Sequence, residues 1–277
     1  MSKEGKKIQS LETYHRFLDE AGDTTFYGKG KVPIIETTEG VSFCFILGMV
    51  KFRTSLPDIR QEIQRLQQTI EKDEYFKDVP SIQKKISKNG FYFHGTDDIP
   101  EVRKIFFDYI KTIDCSFEAV VGRKIPSLYA LKHNNNEAEF YADLLSHLLK
   151  NKMYGEKRMV LNIAERGKTT KNENLQRALT KAVGRYLKKK PEAEIKTNIV
   201  FNVQNQITEP LLNVADYFCW AIQRVLERGE MRYYNFLQEK ISLIVDLYDS
   251  EKYSGNKNYY NERNLLTAKN KLSPPLY

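Results

Sequence analysis

Carboxylate side chains directly follow two apolar segments of the sequence. A short apolar run leads into Asp19 and Glu20, and the apolar segment that begins at Met159 leads into Glu165. A strand that ends in acid opens its carboxyl end onto a site, and Gly22 lets the backbone turn sharply there. Asp and Gly are also common turn residues, so an ordinary strand-to-turn junction is the alternative.

A further carboxylate, Asp216, lies within the apolar stretch of a predicted helix, where a charge is costly to bury without a partner. Adjacent carboxylates repel each other unless water, a base or a metal ion compensates them, and a divalent cation does this best for oxygen ligands. Asp19, Glu20, Glu165 and Asp216 therefore form the pattern of a metal site. Such a site suits phosphoryl transfer, in which paired ions activate water and stabilise the entering and leaving oxygens.

His94 ends an aromatic segment, residues 91–94, that the sequence predicts to be a short strand. The nearby Asp97 would tune an imidazole near neutrality, which suits a general base, a proton shuttle or an orienting group. His94 is therefore a candidate catalytic residue beside the four acids. A purely structural histidine is the alternative.

Basic residues follow Glu165 in two groups. The first flanks the predicted strand end, and the second recurs at steps of four along a predicted helix, so both suit contacts with a phosphate backbone. The solvated face of a surface helix is the alternative. The candidates for nucleic-acid binding are Arg166, Lys168, Lys171, Arg177, Lys181 and Arg185.

Composition bounds the class of protein. The chain has 277 residues and a formal net charge of +8, which favours a polyanionic partner such as nucleic acid, although lysine-rich surfaces also serve solubility. No apolar run is long enough to cross a bilayer and the first residues lack the apolar core of a signal peptide, so we expect a cytoplasmic protein with no membrane partner. Cys44, Cys115 and Cys219 have no paired spacing, which predicts buried thiols rather than disulfides or a zinc site.

Apolar periodicity predicts an α/β protein in which strands and helices alternate. We expect a core with insertions over residues 1–230 and, over residues 231–277, a C-terminal helix and extension packed on that core. The apolar residues between 241 and 248 predict that last helix. The predicted strands cover residues 14–18, 41–50, 91–94, 115–121, 159–167 and 195–203, and the predicted helices cover residues 56–71, about 100–112, 137–152, 173–190 and a segment that begins at 208.

Three motifs resemble those of a bacterial family, domain of unknown function 3800, whose fold is similar to ribonuclease H. The resemblance spans most of the chain, and its first and last motifs are fairly specific in combination. It implies a ribonuclease-H-like mixed sheet flanked by helices, with helical insertions and a C-terminal extension. The family usually has Ser where this chain has Ala21, so a hydroxyl role at that position is absent here. The motifs are Phe17-Leu18-Asp19-Glu20-Ala21-Gly22-Asp23, Phe93-His94-Gly95-Thr96-Asp97-Asp98 and Val214-Ala215-Asp216-Tyr217-Phe218-Cys219-Trp220-Ala221.

The resemblance also implies a ligand set and an activity. Ribonuclease-H-like nucleases place carboxylates on the first strand, at a later strand end and on a C-terminal helix, around two divalent ions. By this resemblance Asp19 would bridge both ions, Asp216 would bind one, and Glu165 is the candidate third ligand, with Mg²⁺ or Mn²⁺ as the cofactor. Glu20 would reach the same ions only if the strand ends before it, because neighbours on a strand point to opposite faces. The implied function is a metal-dependent nuclease or related phosphoryl-transfer hydrolase, with RNA, DNA and hybrids all open as substrates.

The alternative is a non-catalytic interaction or nucleic-acid-binding protein of a defence or mobile-element system, in which the acids only organise the core. Glu165 would then be used up in a pair with its neighbour Arg166. Two tyrosine pairs, at 233–234 and 259–260, would either stack on bases or pack at the interface of a homo-oligomer.

Overall fold

One mixed sheet organises the part of the chain that the computed structural model describes, which is residues 12–35, 41–167, 170–249, 255 and 257–272. The sheet order is β5-β4-β1-β2-β3-β6-β7. The strands are β1 (Glu12–Gly22), β2 (Cys44–Phe52), β3 (Cys115–Arg123), β4 (Lys157–Ala164), β5 (Asn198–Gln204), β6 (Ile241–Asp246) and β7 (Tyr259–Tyr260). The helices are α1 (Leu56–Lys72), α2 (Pro80–Asn89), α3 (Pro100–Thr112), α4 (Pro126–His133), α5 (Glu137–Leu149), α6 (Asn172–Lys189), α7 (Leu211–Arg228) and α8 (Arg232–Leu237).

Strand β1 lies inside the sheet and has one parallel and one antiparallel neighbour. It runs parallel to β4, which in turn runs parallel to β5, and antiparallel to β2. Parallel strands end at the same edge of a sheet, so the carboxyl ends of β1, β4 and β5 open together. The predicted α/β class, with a mixed sheet flanked by helices, is confirmed.

Side chains of β1 alternate between two apolar layers, as expected of a strand that is buried on both faces. Phe17 and Ala21 pack in the layer that contains α1, α3 and α7, whereas Leu18 packs in the layer that contains α5 and α6. Asp19 therefore belongs to the face that α7 covers, and Glu20 to the opposite face. The three cysteines are buried thiols, as predicted.

The predicted strand over residues 91–94 is wrong, because that segment has no strand pairing in the structure. Its backbone donors bind carboxylates instead: the Phe91 N–H donates to Glu71 (2.7 Å) and the His94 N–H donates to Asp98 (2.8 Å). Its aromatic character serves packing, since the ring of Phe93 stacks on a ring of α3 with centroids 4.0 Å apart.

The predicted helix over residues 241–248 is also wrong. Residues Ile241–Asp246 form β6, which pairs in parallel with β3, and the helix of this part of the chain is the short α8 that precedes it. The apolar spacing fits a helix, but the exposed edge of β3 offers ladder hydrogen bonds to a segment rich in β-branched residues.

Among the helices that the structure describes, none has both the length and the apolar character needed to cross a bilayer.

Gly48 lies where α7 and the side chain of Phe117 both pack closely against β2. It pairs with Asp19 across β1 and β2, and a Cβ atom at this position would lie 2.6 Å from Cε2 of Phe117 and 2.7 Å from Sγ of Cys219. We expect Gly48→Ala to lower the free energy of unfolding by about 1–3 kcal/mol, because the added methyl group overpacks a filled core. Urea unfolding measures this change.

The control is Gly184→Ala in α6, where an added Cβ meets nothing within 4 Å. This substitution should stabilise the helix by up to ~1 kcal/mol. Equal effects of the two substitutions would show that the core at Gly48 is not tightly filled.

Candidate functional site

A cavity of about 780 Å³ opens at the carboxyl ends of β1 and β4. Its walls are the last residues of β1, the segments that follow β4 and β5, one face of α2, the turn over residues 92–97, and α7. Outside the carboxyl ends of parallel strands is a common place for ligand sites in α/β proteins. All five predicted catalytic residues line this cavity: Asp19, Glu20, His94, Glu165 and Asp216.

Asp19 and Asp216 are the two buried carboxylates that line the cavity, with exposed fractions of 3% and 5%. Asp19 accepts hydrogen bonds from the Glu20 backbone N–H (2.8 Å) and from the side-chain amide of Gln206. Asp216 accepts one from the Gly95 backbone N–H (2.6 Å). The structure thus places two of the predicted acids in one cavity, and it adds Gln206, which sequence reasoning missed.

Electrostatics at this pair disfavours two negative charges. Burial raises the pKa of Asp19 well above its usual value, and the charge of the nearby Asp216 raises it further. Burial also raises the pKa of Asp216, although His94 and the Gly95 N–H oppose that rise. The pair is therefore poised to share a proton or to bind a cation.

His94 lies between two carboxylates. Its Nε2 atom is 3.8 Å from Asp216 Oδ1, and its Nδ1 atom is 3.4 Å from Asp97 Oδ2. The side chain remains 29% exposed, so it reaches both the buried acid and the open cavity. This placement suits proton transfer at the cavity, as the sequence predicts.

Asp98 holds the turn that carries His94. Its carboxylate pairs with Lys85 of α2 (2.6 Å) and accepts hydrogen bonds from the His94 N–H (2.8 Å) and from the hydroxyl of Tyr217 in α7 (2.6 Å). Gly95 follows, and a Cβ atom there would lie 2.7 Å from Cγ of Trp220, so only glycine lets its N–H approach Asp216. The motif over residues 93–98 thus positions His94 and Asp216. Sequence reasoning did not assign this role to Asp98.

Glu20 points away from Asp19 because β1 continues to Gly22. Its carboxylate forms an ion pair with Arg166 (2.9 Å), whose guanidinium lies 4.9 Å from the ring centroid of Phe45 in the other layer. Burial raises the pKa of Glu20, and the charge of Arg166 opposes that rise. Glu165 is exposed and lines the cavity.

The predicted nucleic-acid-binding residues do not form one surface. Arg166 lines the cavity, Lys168 lies outside the described residues, and Lys171 is exposed just before α6. The other three face α5 and form ion pairs there: Arg177 and Lys181 with Glu139, and Arg185 with Asp143. Their spacing of four residues brings them together, but on the opposite side of the sheet from Asp19.

The donor set fits a hard divalent cation. Two carboxylates whose charges oppose each other supply oxygen ligands, and Mg²⁺ commonly binds one or two carboxylates while waters and substrate phosphates complete its shell. Within the described ranges, no group of three or more His, Cys, Asp or Glu side chains is arranged to hold a metal ion. A cation here would therefore depend on water or substrate oxygens for the rest of its coordination.

No model of a known protein family matches this chain, and no curated protein is significantly similar to it.

Asp19 and Asp98 are both buried, yet neutralising them should have opposite effects on stability. Asp19→Asn removes a charge that is repelled, so we expect it to raise the free energy of unfolding at pH 7 in EDTA. Asp98→Asn leaves Lys85 buried without its partner and should lower that free energy by about 3–5 kcal/mol. Chemical unfolding of both variants measures the difference.

The pH dependence of stability follows from the raised pKa of Asp19. Because the folded state raises the pKa of Asp19 above the unfolded value of 3.8, the protein loses stability as pH rises from about 3.8 through the folded pKa. The difference in free energy of unfolding between Asp19→Asn and wild type should therefore be largest at neutral pH and become smaller toward pH 4. A difference in free energy of unfolding that does not change with pH would contradict the charge repulsion between Asp19 and Asp216.

Proposed function

We propose that this protein is a divalent-metal-dependent nuclease, or a related phosphoryl-transfer hydrolase, with a ribonuclease-H-like fold. The observation that carries the proposal is the convergence of Asp19 and Asp216, buried and mutually repelled, in a cavity of about 780 Å³. A bound divalent cation relieves charge repulsion of this kind and leaves both carboxylates ionised.

The placement of the acids supports the fold assignment. Asp19 lies on the first strand, Glu165 directly follows β4, and Asp216 lies on the late helix α7. This is the arrangement that the resemblance to ribonuclease-H-like proteins implies. Glu20 occupies the other face of β1, so we assign it to holding Arg166 rather than to binding a metal ion.

Each residue of the cavity has a role that follows from its contacts. Asp19 and Asp216 would hold Mg²⁺ or Mn²⁺, with Glu165 as a third carboxylate from the exposed side. Gln206 orients Asp19, and the Gly95 N–H orients Asp216. The bound ions would activate water and stabilise the entering and leaving oxygens of a phosphodiester. His94 is placed to accept or deliver a proton at Nε2.

A second candidate function is a non-catalytic binding protein. It is favoured by the hydrogen bonds that the two carboxylates already accept from Gln206 and Gly95, which give both acids a structural role. In this function the acid pair would share a proton and would be indifferent to divalent cations.

Manganese titration calorimetry tests the proposal. We expect wild type to bind Mn²⁺, and Asp19→Asn and Asp216→Asn each to abolish binding, because both carboxylates belong to one site. Cleavage of single-stranded RNA, DNA or hybrids should fall in both variants by more than the ~10–100-fold typical of residues that only orient a ligand. Glu165→Gln should weaken binding less, since its carboxylate is exposed.

The matched control is Asp58→Asn, which neutralises an exposed carboxylate in the first turn of α1, outside the cavity. It should bind manganese like wild type. Wild type that neither binds manganese nor gains thermal stability from it would favour the binding-protein function instead.

A further inference from the structure

Two exposed lysines line the cavity from α2. Lys84 and Lys88 share one helix face with Ser81 and Lys85, and all four side chains border the cavity that contains Asp19. Neither Lys84 nor Lys88 forms an ion pair with any residue that the structure describes, in contrast to Arg177, Lys181 and Arg185 of α6. Their charge is therefore available to a ligand.

The spacing of these lysines has an energetic cost within the protein. Like charges four residues apart on a helix destabilise it. Helix α2 contains no acidic residue that could offset this repulsion. An anion bound across Lys84 and Lys88 would relieve it.

Helix α2 is fastened to the carboxylate site. Lys85 is buried, pairs with Asp98 (2.6 Å) and donates to the backbone oxygen of Tyr92 (2.9 Å). Since Asp98 also binds the His94 N–H, α2 and the turn that carries His94 form one unit. The helix that carries the two exposed lysines therefore has a defined position relative to the acids.

The shape of the cavity indicates the kind of anion. Asp19 and Asp216 are almost fully buried, and a cavity of about 780 Å³ has the size of a small-ligand pocket, which admits a few nucleotides rather than the body of a duplex. Tyr92 lines the same cavity, and its ring centroid lies 4.8 Å from Nζ of Lys85 on the same wall. A basic wall with an aromatic platform is typical of single-strand binding.

We propose that Lys84 and Lys88 bind successive phosphates of a single-stranded nucleic acid, and that Tyr92 stacks on one of its bases. This inference rests on the proposed function, because it places the strand so that a phosphodiester reaches Asp19 and Asp216. It assigns substrate binding to α2 instead of to the face of α6.

Fluorescence anisotropy with a labelled single-stranded oligonucleotide in EDTA tests the inference without any cleavage. For single strands the logarithm of the binding constant falls with the logarithm of salt concentration by about 0.7 per phosphate contacted. The double variant Lys84→Gln/Lys88→Gln should therefore show a salt slope shallower by roughly 1.4, and an affinity at low salt roughly tenfold weaker.

The matched control is Lys188→Gln/Lys189→Gln, which removes two exposed lysines at the end of α6, outside the cavity. The control changes net charge by the same amount, so it isolates position from charge. Identical slopes for the two double variants would overturn the inference. Circular dichroism melting confirms that both variants are folded.

The stacking contact has its own variant. Tyr92→Leu should weaken single-strand binding by roughly 5- to 150-fold, whereas Tyr92→Phe, which keeps the ring, should restore it. A duplex of the same sequence that binds as tightly as the single strand would overturn the assignment of strand state.

These outcomes are separable from those of the proposed function. If manganese binding and cleavage depend on Asp19 but the salt slope does not depend on Lys84 and Lys88, only this inference fails. A wild-type protein that binds no single strand at low salt, with EDTA or with Mn²⁺, also overturns it, while calorimetry decides the metal site independently.

Discussion

The site depends on how closely α7 packs against the centre of the sheet. Gly48 leaves room for Cys219, whose thiol lies 3.4 Å from the backbone oxygen of Asp19. One turn earlier on the same helix face, Asp216 comes near the Asp19 side chain, and both carboxylates are buried at the base of the cavity. An apolar packing contact thereby forces two negative charges together. Gln206 and the Gly95 N–H then orient these two carboxylates.

Two buried aspartates in this region, Asp98 and Asp19, differ in whether a positively charged partner compensates them. Asp98 has a lysine partner and two hydrogen-bond donors, so its charge is compensated and it fixes structure. Asp19 accepts hydrogen bonds, but the charged groups that shift its pKa, Asp216 and Glu20, are both acidic and raise it. A fold has no structural reason to retain an uncompensated repulsion, and departures of this sort concentrate at functional sites. The contrast favours a ligand for Asp19 and Asp216, and a supporting role for Asp98.

Sequence patterns predicted what local periodicity determines and failed where distant pairing decides. The α/β class and the acids Asp19 and Asp216 were accessible, because an acid within an apolar stretch stands out. The continuation of β1 through Gly22 was not accessible, since it depends on pairing with β2 as far as Phe45, and it reassigns Glu20 to the other face. Residues 241–246 have helix-compatible spacing, but the edge of β3 makes them a strand. Gln206 follows β5 without any local signal, and only the fold brings it to Asp19.

Net charge identifies a class of partner but does not locate its site. The basic residues of α6 drew attention because they recur at steps of four, yet that regularity serves ion pairs with Glu139 and Asp143 of α5. Lysines in α2 form a less regular pattern, in which buried Lys85 has a structural partner while Lys84 and Lys88 have none among the described residues. The basic residues of α6 and the lysines of α2 therefore differ in whether an acidic residue pairs with them, and their spacing does not reveal this difference. A cation whose charge the fold has already compensated has little left for a phosphate, so the residues most informative about substrate are those that the fold leaves uncompensated beside the acids.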